Sequence, residues 1–404
     1  MNNLNAMNSY RKKKFSLKNY FSRTKQSKEY LEESIFASSK ELFESLKKIT
    51  RRPSIPGAIH LARDIVGSGA WISSSYLKFL LTLSGMKPYS TSKLEEDDLH
   101  YIIDQVSKNI RIPEEQFTKQ EIFQAIYSEL DYAHHHPHYE TKLAFPQIFP
   151  TIVLVSGVFN EIYKTAAFEK GVQYAAEKCG LKYIVADTHG FKGSKHNTKL
   201  IEDTLFEYHQ QNPDEKFWII AYSKGGIDSL HFLQKHSEWA DKNVAGLSTI
   251  ASPILGSPHL DSKLFGAIKY IQKFSPDEFS SYILKNKDIF KKDFMETLAK
   301  DNQEQWFRDN YHLLPDNCFY TSLALEAEWY ESHLYMMALK LIIGSNKAND
   351  GVVDIESAFF PDYFKSTNLG VIKGHHLIGA RSSTYAQECL IFTHIIYLKY
   401  RNLI

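Results

Sequence analysis

Three residue types scattered along this chain could together perform acyl transfer: a serine at 223, an aspartate at 350 and a histidine pair at 375 and 376. The serine sits where the apolar run Phe217-Trp218-Ile219-Ile220-Ala221-Tyr222 ends and the sequence turns at once to Lys224-Gly225-Gly226 and an amphipathic stretch. A strand that reverses directly into a helix forces the turning residue into a strained backbone conformation and pushes its side chain out of the sheet edge. The small residues Ala221 and Gly225, two before and two after Ser223, suit such a crowded turn. A serine held there is exposed beside a helix N-terminus, where a nucleophile is wanted. Ser-x-Gly alone carries little weight, since chance supplies about one or two in a chain of this length. Its context must decide.

A hydroxyl is a weak nucleophile and needs a base within hydrogen-bond reach, itself oriented by a carboxylate. Asp350 lies in Ser345-Asn346-Lys347-Ala348-Asn349-Asp350-Gly351-Val352-Val353, and the histidines in Gly374-His375-His376-Leu377. Asn-Asp-Gly is also ordinary turn chemistry. Position after a buried apolar run favours Asp350 as the acid, with Asp354 and Glu356 as competitors. The base is one of the two histidines, His376 in preference to His375. The order serine, acid, histidine is expected when each follows a separate strand of one sheet. Two backbone amides are then needed for a developing oxyanion. One is that of Lys224; the other comes from the loop Ser156-Gly157-Val158-Phe159-Asn160-Glu161, where Val158 is the expected donor and Gly157 allows the tight turn. The Lys224 side chain is expected in solvent, with positive charge near the oxyanion as the alternative.

The elements that must hold these residues begin near position 146. Thr151–Val155, Tyr183–Ala186, Phe217–Ala221 and Val244–Ile250 are short apolar runs that read as strands. Between them, 163–180, 197–212 and 224–237 read as helices. Strands alternating with amphipathic helices argue for a parallel sheet covered on both faces. The span 261–335 is polar and aromatic-rich and reads as a helical cap or lid inserted before further strands at Leu339–Gly344 and Leu369–Lys373. A last helix covers about 383–401. Before 146 the patterns are helical, over 28–49, 58–84, 93–110 and 114–134. They place an α-helical N-terminal region at 28–145 behind a basic tail at 1–27.

Composition limits the alternatives. The chain has 404 residues, 43% hydrophobic and 14% aromatic, enough for a large core, and a formal net charge of +1. No global field points to nucleic acid. Residues 1–56 hold 13 Lys/Arg against 5 Glu; a solvated tail is the first expectation, and peripheral contact with an anionic membrane the second. No apolar segment follows the basic N-terminus, so no signal peptide is recognised and a cytoplasmic, membrane-associated or free protein is expected. Cys179, Cys318 and Cys389 are widely spaced and read as buried thiols rather than a disulfide or metal set. The run His134-His135-His136-Pro137-His138 reads as a helix end rather than a metal site, because adjacent histidines cannot all face one ion.

From about 148 onward the chain resembles the α/β-hydrolase superfamily, and within it bacterial serine lipases and esterases. The residues that carry this are VLVSGVFNE (153–161), AYSKGG (221–226), ASPILGSPHLD (251–261), NDGVVDIESA (349–358) and GHHL (374–377). The resemblance implies hydrolysis of acyl esters without a cofactor, on a small-molecule or lipid substrate. It departs from the family at Ala221, where a glycine is usual, and at Ser156-Gly157, where His-Gly is usual. Acyl transfer to another acceptor, or a non-catalytic binding protein on the same fold, are the other readings.

Overall fold

The computed structural model describes residues 94–136, 138–148, 150–158, 166–257, 292–327, 348–379 and 386–404. The expected basic tail at 1–27, the helices at 28–49 and 58–84, the strand at 339–344 and the first part of the cap lie outside them. Among these residues six strands form one all-parallel sheet: β1 (Thr151–Val155), β2 (Tyr183–Ala186), β3 (Phe217–Tyr222), β4 (Val244–Ile250), β5 (Phe319–Glu326) and β6 (Thr367–Lys373), in the order β2-β1-β3-β4-β5-β6. The helices in chain order are α1 (Glu96–Ser107), α2 (Lys119–His135), α3 (Glu169–Cys179), α4 (Ser194–Gln211), α5 (Lys224–Lys235), α6 (Ser237–Asn243), α7 (Lys292–Leu298), α8 (Lys300–Asn310), α9 (Ile355–Ala358) and α10 (Gln387–Tyr400). All five strands expected by sequence within the described residues appear at the expected ends or within two residues of them, because continuous apolar runs are what a doubly covered parallel sheet requires.

Side chains alternate across this sheet, and two cores result. On one face Ile152 and Leu154 of β1 and Trp218, Ile220 and Tyr222 of β3 pack with α1, α2, α3 and α10. On the other, Val153, Val155, Phe217, Ile219 and Ala221 pack with Ile201 and Leu205 of α4 and Leu230 and Leu233 of α5. Each Val, Leu, Ile or Phe side chain among them removed from water contributes about 1.5–3 kcal/mol. Helix α10 is buried almost all round. A helix with no polar face belongs in an interior, and this one lies between its neighbours rather than on the surface.

Two expectations are corrected here. The first is the boundary at 145. Tyr89–Ile404 make up one compact unit, and α2 belongs to the first core rather than to a separate helical region. Its Phe123 is fully buried edge-on against His394 and Tyr397 of α10, and Gln124 Nε2 donates to the Val371 carbonyl of β6 at 3.0 Å. Helical periodicity marked α2 correctly as a helix but could not say which surface received its apolar side. Its start is set by a capping box, in which Thr118 Oγ1 accepts from the Glu121 amide at 3.2 Å and Glu121 Oε2 accepts from the Thr118 amide at 2.8 Å.

The second is the helical cap at 261–335. Within it, α7 and α8 are helical, but Phe319–Glu326 is β5, a central strand between β4 and β6. Thr321 and Ser322 disguised it as surface sequence. Both are buried and satisfied: Thr321 Oγ1 donates to Ser248 Oγ at 2.8 Å, and Ser322 Oγ to Asn368 Oδ1 at 2.5 Å. A bulge between Ser322 and Ala324 shifts the register against β6, re-aiming the strand that leads to the histidines. Cys318 and Cys389 are buried and free, whereas Cys179 is only half-buried. The histidine run closes α2, where His136 Nδ1 bonds the Tyr132 carbonyl at 2.8 Å. Among the described residues no helix is long and apolar enough to cross a membrane.

Candidate active site

The turn from β3 into α5 takes a single residue. Ser223 adopts φ 52° and ψ −132°, a conformation that side chains rarely tolerate. It is held there by bonds on both sides: its amide donates to the Ile250 carbonyl of β4 at 3.0 Å, and its carbonyl accepts from the Gly226 amide at 3.0 Å. The close approach that demands Gly225 comes from the end of β1, not chiefly from Ala221. A Cβ on Gly225 would lie 2.4 Å from the Val155 carbonyl oxygen and 2.7 Å from that of Ser156.

Around this serine the sheet ends converge. Ser223 Oγ lies 2.9 Å from His376 Nε2, and His376 Nδ1 lies 2.7 Å from Asp350 Oδ2. All three side chains are nearly dry, with Ser223 6%, His376 5% and Asp350 0% exposed. The turn chemistry at Asn349-Asp350-Gly351 and the carboxylate's position are one device. Asp350 Oδ1 accepts the amides of Val352 at 2.9 Å and Val353 at 2.8 Å, which leaves Oδ2 for the imidazole. The turn is closed by the Gly351 amide donating to Asn349 Oδ1 at 2.9 Å, with Gly351 at φ 103°. The His376 amide in turn donates to the Asp350 carbonyl at 2.9 Å. The competitors stand elsewhere: Asp354 is at the N-cap position of α9 and Glu356 is in its first turn.

His375 and His376 part company because adjacent side chains point in different directions. His376 faces the serine. His375 Nδ1 instead accepts the Leu377 amide at 3.1 Å. Tyr222, which sequence reading passed over, braces His376: its ring stacks on that of His376 with centroids 5.3 Å apart at 25°, and its hydroxyl donates to the His376 carbonyl. The only hint in the sequence is that Tyr222 adjoins Ser223.

The loop after β1 is seated against the same turn. A Cβ on Gly157 would lie 2.6 Å from Ser223 Cβ, 2.9 Å from the Tyr222 oxygen and 3.0 Å from the Lys224 amide nitrogen. Only glycine lets the loop come this close to the turn. Ser156, in place of the usual histidine, anchors this loop by accepting the Ala167 amide on its Oγ at 2.8 Å. The Lys224 amide begins α5 and so has no carbonyl within the helix to bond. The loop expected to supply one oxyanion donor and the Lys224 amide expected to supply the other therefore meet at Gly157. Beside it, Val158 packs with Phe191, Ile227 of α5, and Phe294 and Leu298 of α7, an apolar cluster distinct from the two cores.

The Lys224 side chain corrects its expectation. It is fully buried, not solvated, and its Nζ donates to both carboxylate oxygens of Asp228, at 2.9 and 2.8 Å. Burial without a partner would force out the charge; Asp228 removes that cost. Close by on α5, His231 stacks on Trp306 of α8 at 3.9 Å, and burial lowers its pKa to about 4. Among the described residues no group of three or more His, Cys, Asp or Glu could hold a metal ion.

No family model and no curated protein matches this sequence. Solved structures do. A carboxyl esterase of metagenomic origin, MGS0156, is 20% identical, with a TM-score of 0.52 over 65% of this chain and 79% of its own. The lipase BlEst2 of Bacillus licheniformis is 21% identical over 59% of this chain and 87% of its own, at a TM-score of 0.42. A monoglyceride lipase of Saccharomyces cerevisiae, solved with a substrate analog, is 12% identical over 64% and 86%, at 0.37. With the six-stranded parallel order, the first of these likenesses identifies the fold as that of the α/β-hydrolases.

Proposed function

We propose that this α/β-hydrolase-fold protein is a serine hydrolase that cleaves carboxylic esters through an acyl-enzyme. The observation that carries the reading is the unbroken buried chain Ser223–His376–Asp350, at 2.9 and 2.7 Å. In the first half-reaction His376 Nε2 takes the Ser223 proton as Oγ attacks the acyl carbon. The amides of Lys224 and Val158 donate to the oxyanion of the tetrahedral intermediate. Its collapse breaks the ester C–O bond, and His376 returns the proton to the leaving alcohol. In the second, His376 deprotonates a water that attacks the acyl-serine; collapse then releases the acid and restores Ser223. Asp350 keeps the Nδ1 proton facing itself, so that Nε2 is the basic nitrogen, and stabilises the imidazolium. His375 is assigned no part in these steps. Transfer to an alcohol in place of water would share the first half-reaction.

The finer reading, an ester with a long acyl chain or a lipid, is supported by the apolar surroundings of the β1 loop, where half-buried Val158 packs on Phe191, Ile227, Phe294 and Leu298. Labelling with a fluorophosphonate probe tests the central claim. The native chain should label and Ser223→Ala should not; folded native protein that stays unlabelled would sink the enzyme reading. A series of p-nitrophenyl esters tests the finer one: kcat/KM should rise from acetate toward chains of about eight carbons or more. A steady fall with length would restrict the protein to short esters.

A further inference from the structure

Beneath the nucleophile turn lies a buried polar network that the chemistry above does not use. Asp228 accepts from Lys224 Nζ on both oxygens, from Ser194 Oγ on Oδ1 at 2.7 Å and from Asn197 Nδ2 on Oδ2 at 2.6 Å. Asn197 continues it into the loop after β2, donating to the His189 carbonyl at 2.9 Å and accepting the His189 amide at 2.9 Å. Lys224 and Asn197 are fully buried, and Asp228 and Ser194 are 1% and 3% exposed.

As a stabilising device this pair is badly placed. Lys224 is the first residue of α5, where the helix dipole favours anions and opposes a cation. A basic residue four positions before an acidic one is also the weaker order for a helical pair. Full burial adds a desolvation cost for both charges that their attraction need not recover. What the network does supply is position. Within α5, Lys224 and Asp228 alone would tie the helix only to itself. Ser194 and Asn197 tie it to the first turn of α4, and His189 ties that turn to the loop carrying Phe191, which packs with Val158. One chain of hydrogen bonds therefore braces the first turn of α5 and the support of the β1 loop together.

We propose that Lys224 and Asp228 are positioning residues for the oxyanion site, fixing the orientation of the Lys224 amide through the lysine's own side chain. This rests on the proposed ester hydrolysis, since the amide matters only if an oxyanion forms. An oxyanion donor must be aimed before charge develops, and misalignment is felt in the transition state rather than in substrate binding.

The test uses the full-length chain with Lys224→Met, Asp228→Asn and the charge-neutral double variant. Two readouts are taken: steady-state hydrolysis of a p-nitrophenyl ester, and amide hydrogen exchange of the peptide spanning 222–230 followed by mass spectrometry. Each variant should lose kcat on the order of 10–100-fold with KM within about threefold, and the double should be no worse than the worse single. Exchange across 222–230 should quicken at least tenfold while peptides containing Asp350 and His376 keep their protection. A folded double variant with parental kcat would overturn the proposal, as would unchanged exchange. Failure of all three to fold would overturn it too, by making the pair a stability element. If the native chain hydrolyses no ester, the reading of function fails, and exchange still decides whether the pair orders the turn.

Discussion

The two halves of the site are built in opposite ways. On the Ser223 side everything is local: Tyr222, Ser223, Lys224, Gly225 and Asp228 lie within seven consecutive positions, and strain at one backbone position does the aiming. On the other side Asp350 and His376 are 26 residues apart and carry no comparable strain. They are placed by amide clamps on Asp350 Oδ1 and by the bulged approach of β6. A strained turn makes position depend on steric fit, whereas a clamped loop makes it depend on hydrogen bonds. The two sides should therefore fail to different substitutions.

The largest effect is expected on the clamped side. Asp350→Asn can still accept the Val352 and Val353 amides on its remaining oxygen, so the loop should hold and Tm should change little. Its new amide would face His376 Nδ1 and favour the wrong tautomer, lowering kcat about 10⁴-fold. A large fall in Tm would mean that Asp350 serves mainly as a turn. On the strained side, Gly157→Ala places a methyl 2.6 Å from Ser223 Cβ. Displacing the β1 loop should cost about 10²–10³-fold in kcat, the scale of one lost oxyanion donor. Parental activity in a folded variant would remove that loop from the site.

A smaller effect separates the sides by pH. Burial holds His231, on α5, and His394, on α10, down to a pKa of about 4. Between pH 6.5 and 4 the unfolded chain binds these protons and the folded one does not. Stability is therefore complete above about 6.5 and lost as pH falls toward 4, on the order of 3 kcal/mol for each histidine. Asp228 opposes and Lys224 reinforces the shift at His231. In urea unfolding, His231→Phe should flatten this acid loss by about half; an unchanged slope would exonerate His231. The smallest effect lies at the residue the two sides share. Tyr222→Phe keeps the ring on His376 but removes one hydrogen bond, worth about 1 kcal/mol, so kcat should fall only about fivefold. An effect as large as that of Asp350→Asn would mean that the hydroxyl, not the ring, holds the base.

Legibility followed the same division. Ser223 and its strand and helix were readable because an apolar run, a serine and a small residue two positions on are contiguous, and the strain they impose is local. Asp350 was readable less directly, since its turn motif is common and only its place in the chain order raised it above Asp354 and Glu356. The strand before it was misread: Thr321 and Ser322 are polar, and only their partners Ser248 and Asn368 reveal them as interior. Lys224 was expected in solvent because a single lysine gives no sign of a buried carboxylate awaiting it. The spacing to Asp228 was visible, but Ser194 and Asn197, which complete the acceptor set, are about thirty positions away.

By itself the sequence determined the alternation of strands and helices, the turn at Ser223 and the candidate residues of an acyl-transfer site, because periodicity and backbone sterics act between near neighbours. Tertiary structure alone decided that His376 and not His375 meets the serine, that α2 belongs to the hydrolase core and that Lys224 is buried against Asp228. Those outcomes depend on which surfaces and which distant polar groups meet once the sheet closes, and no local pattern contains them.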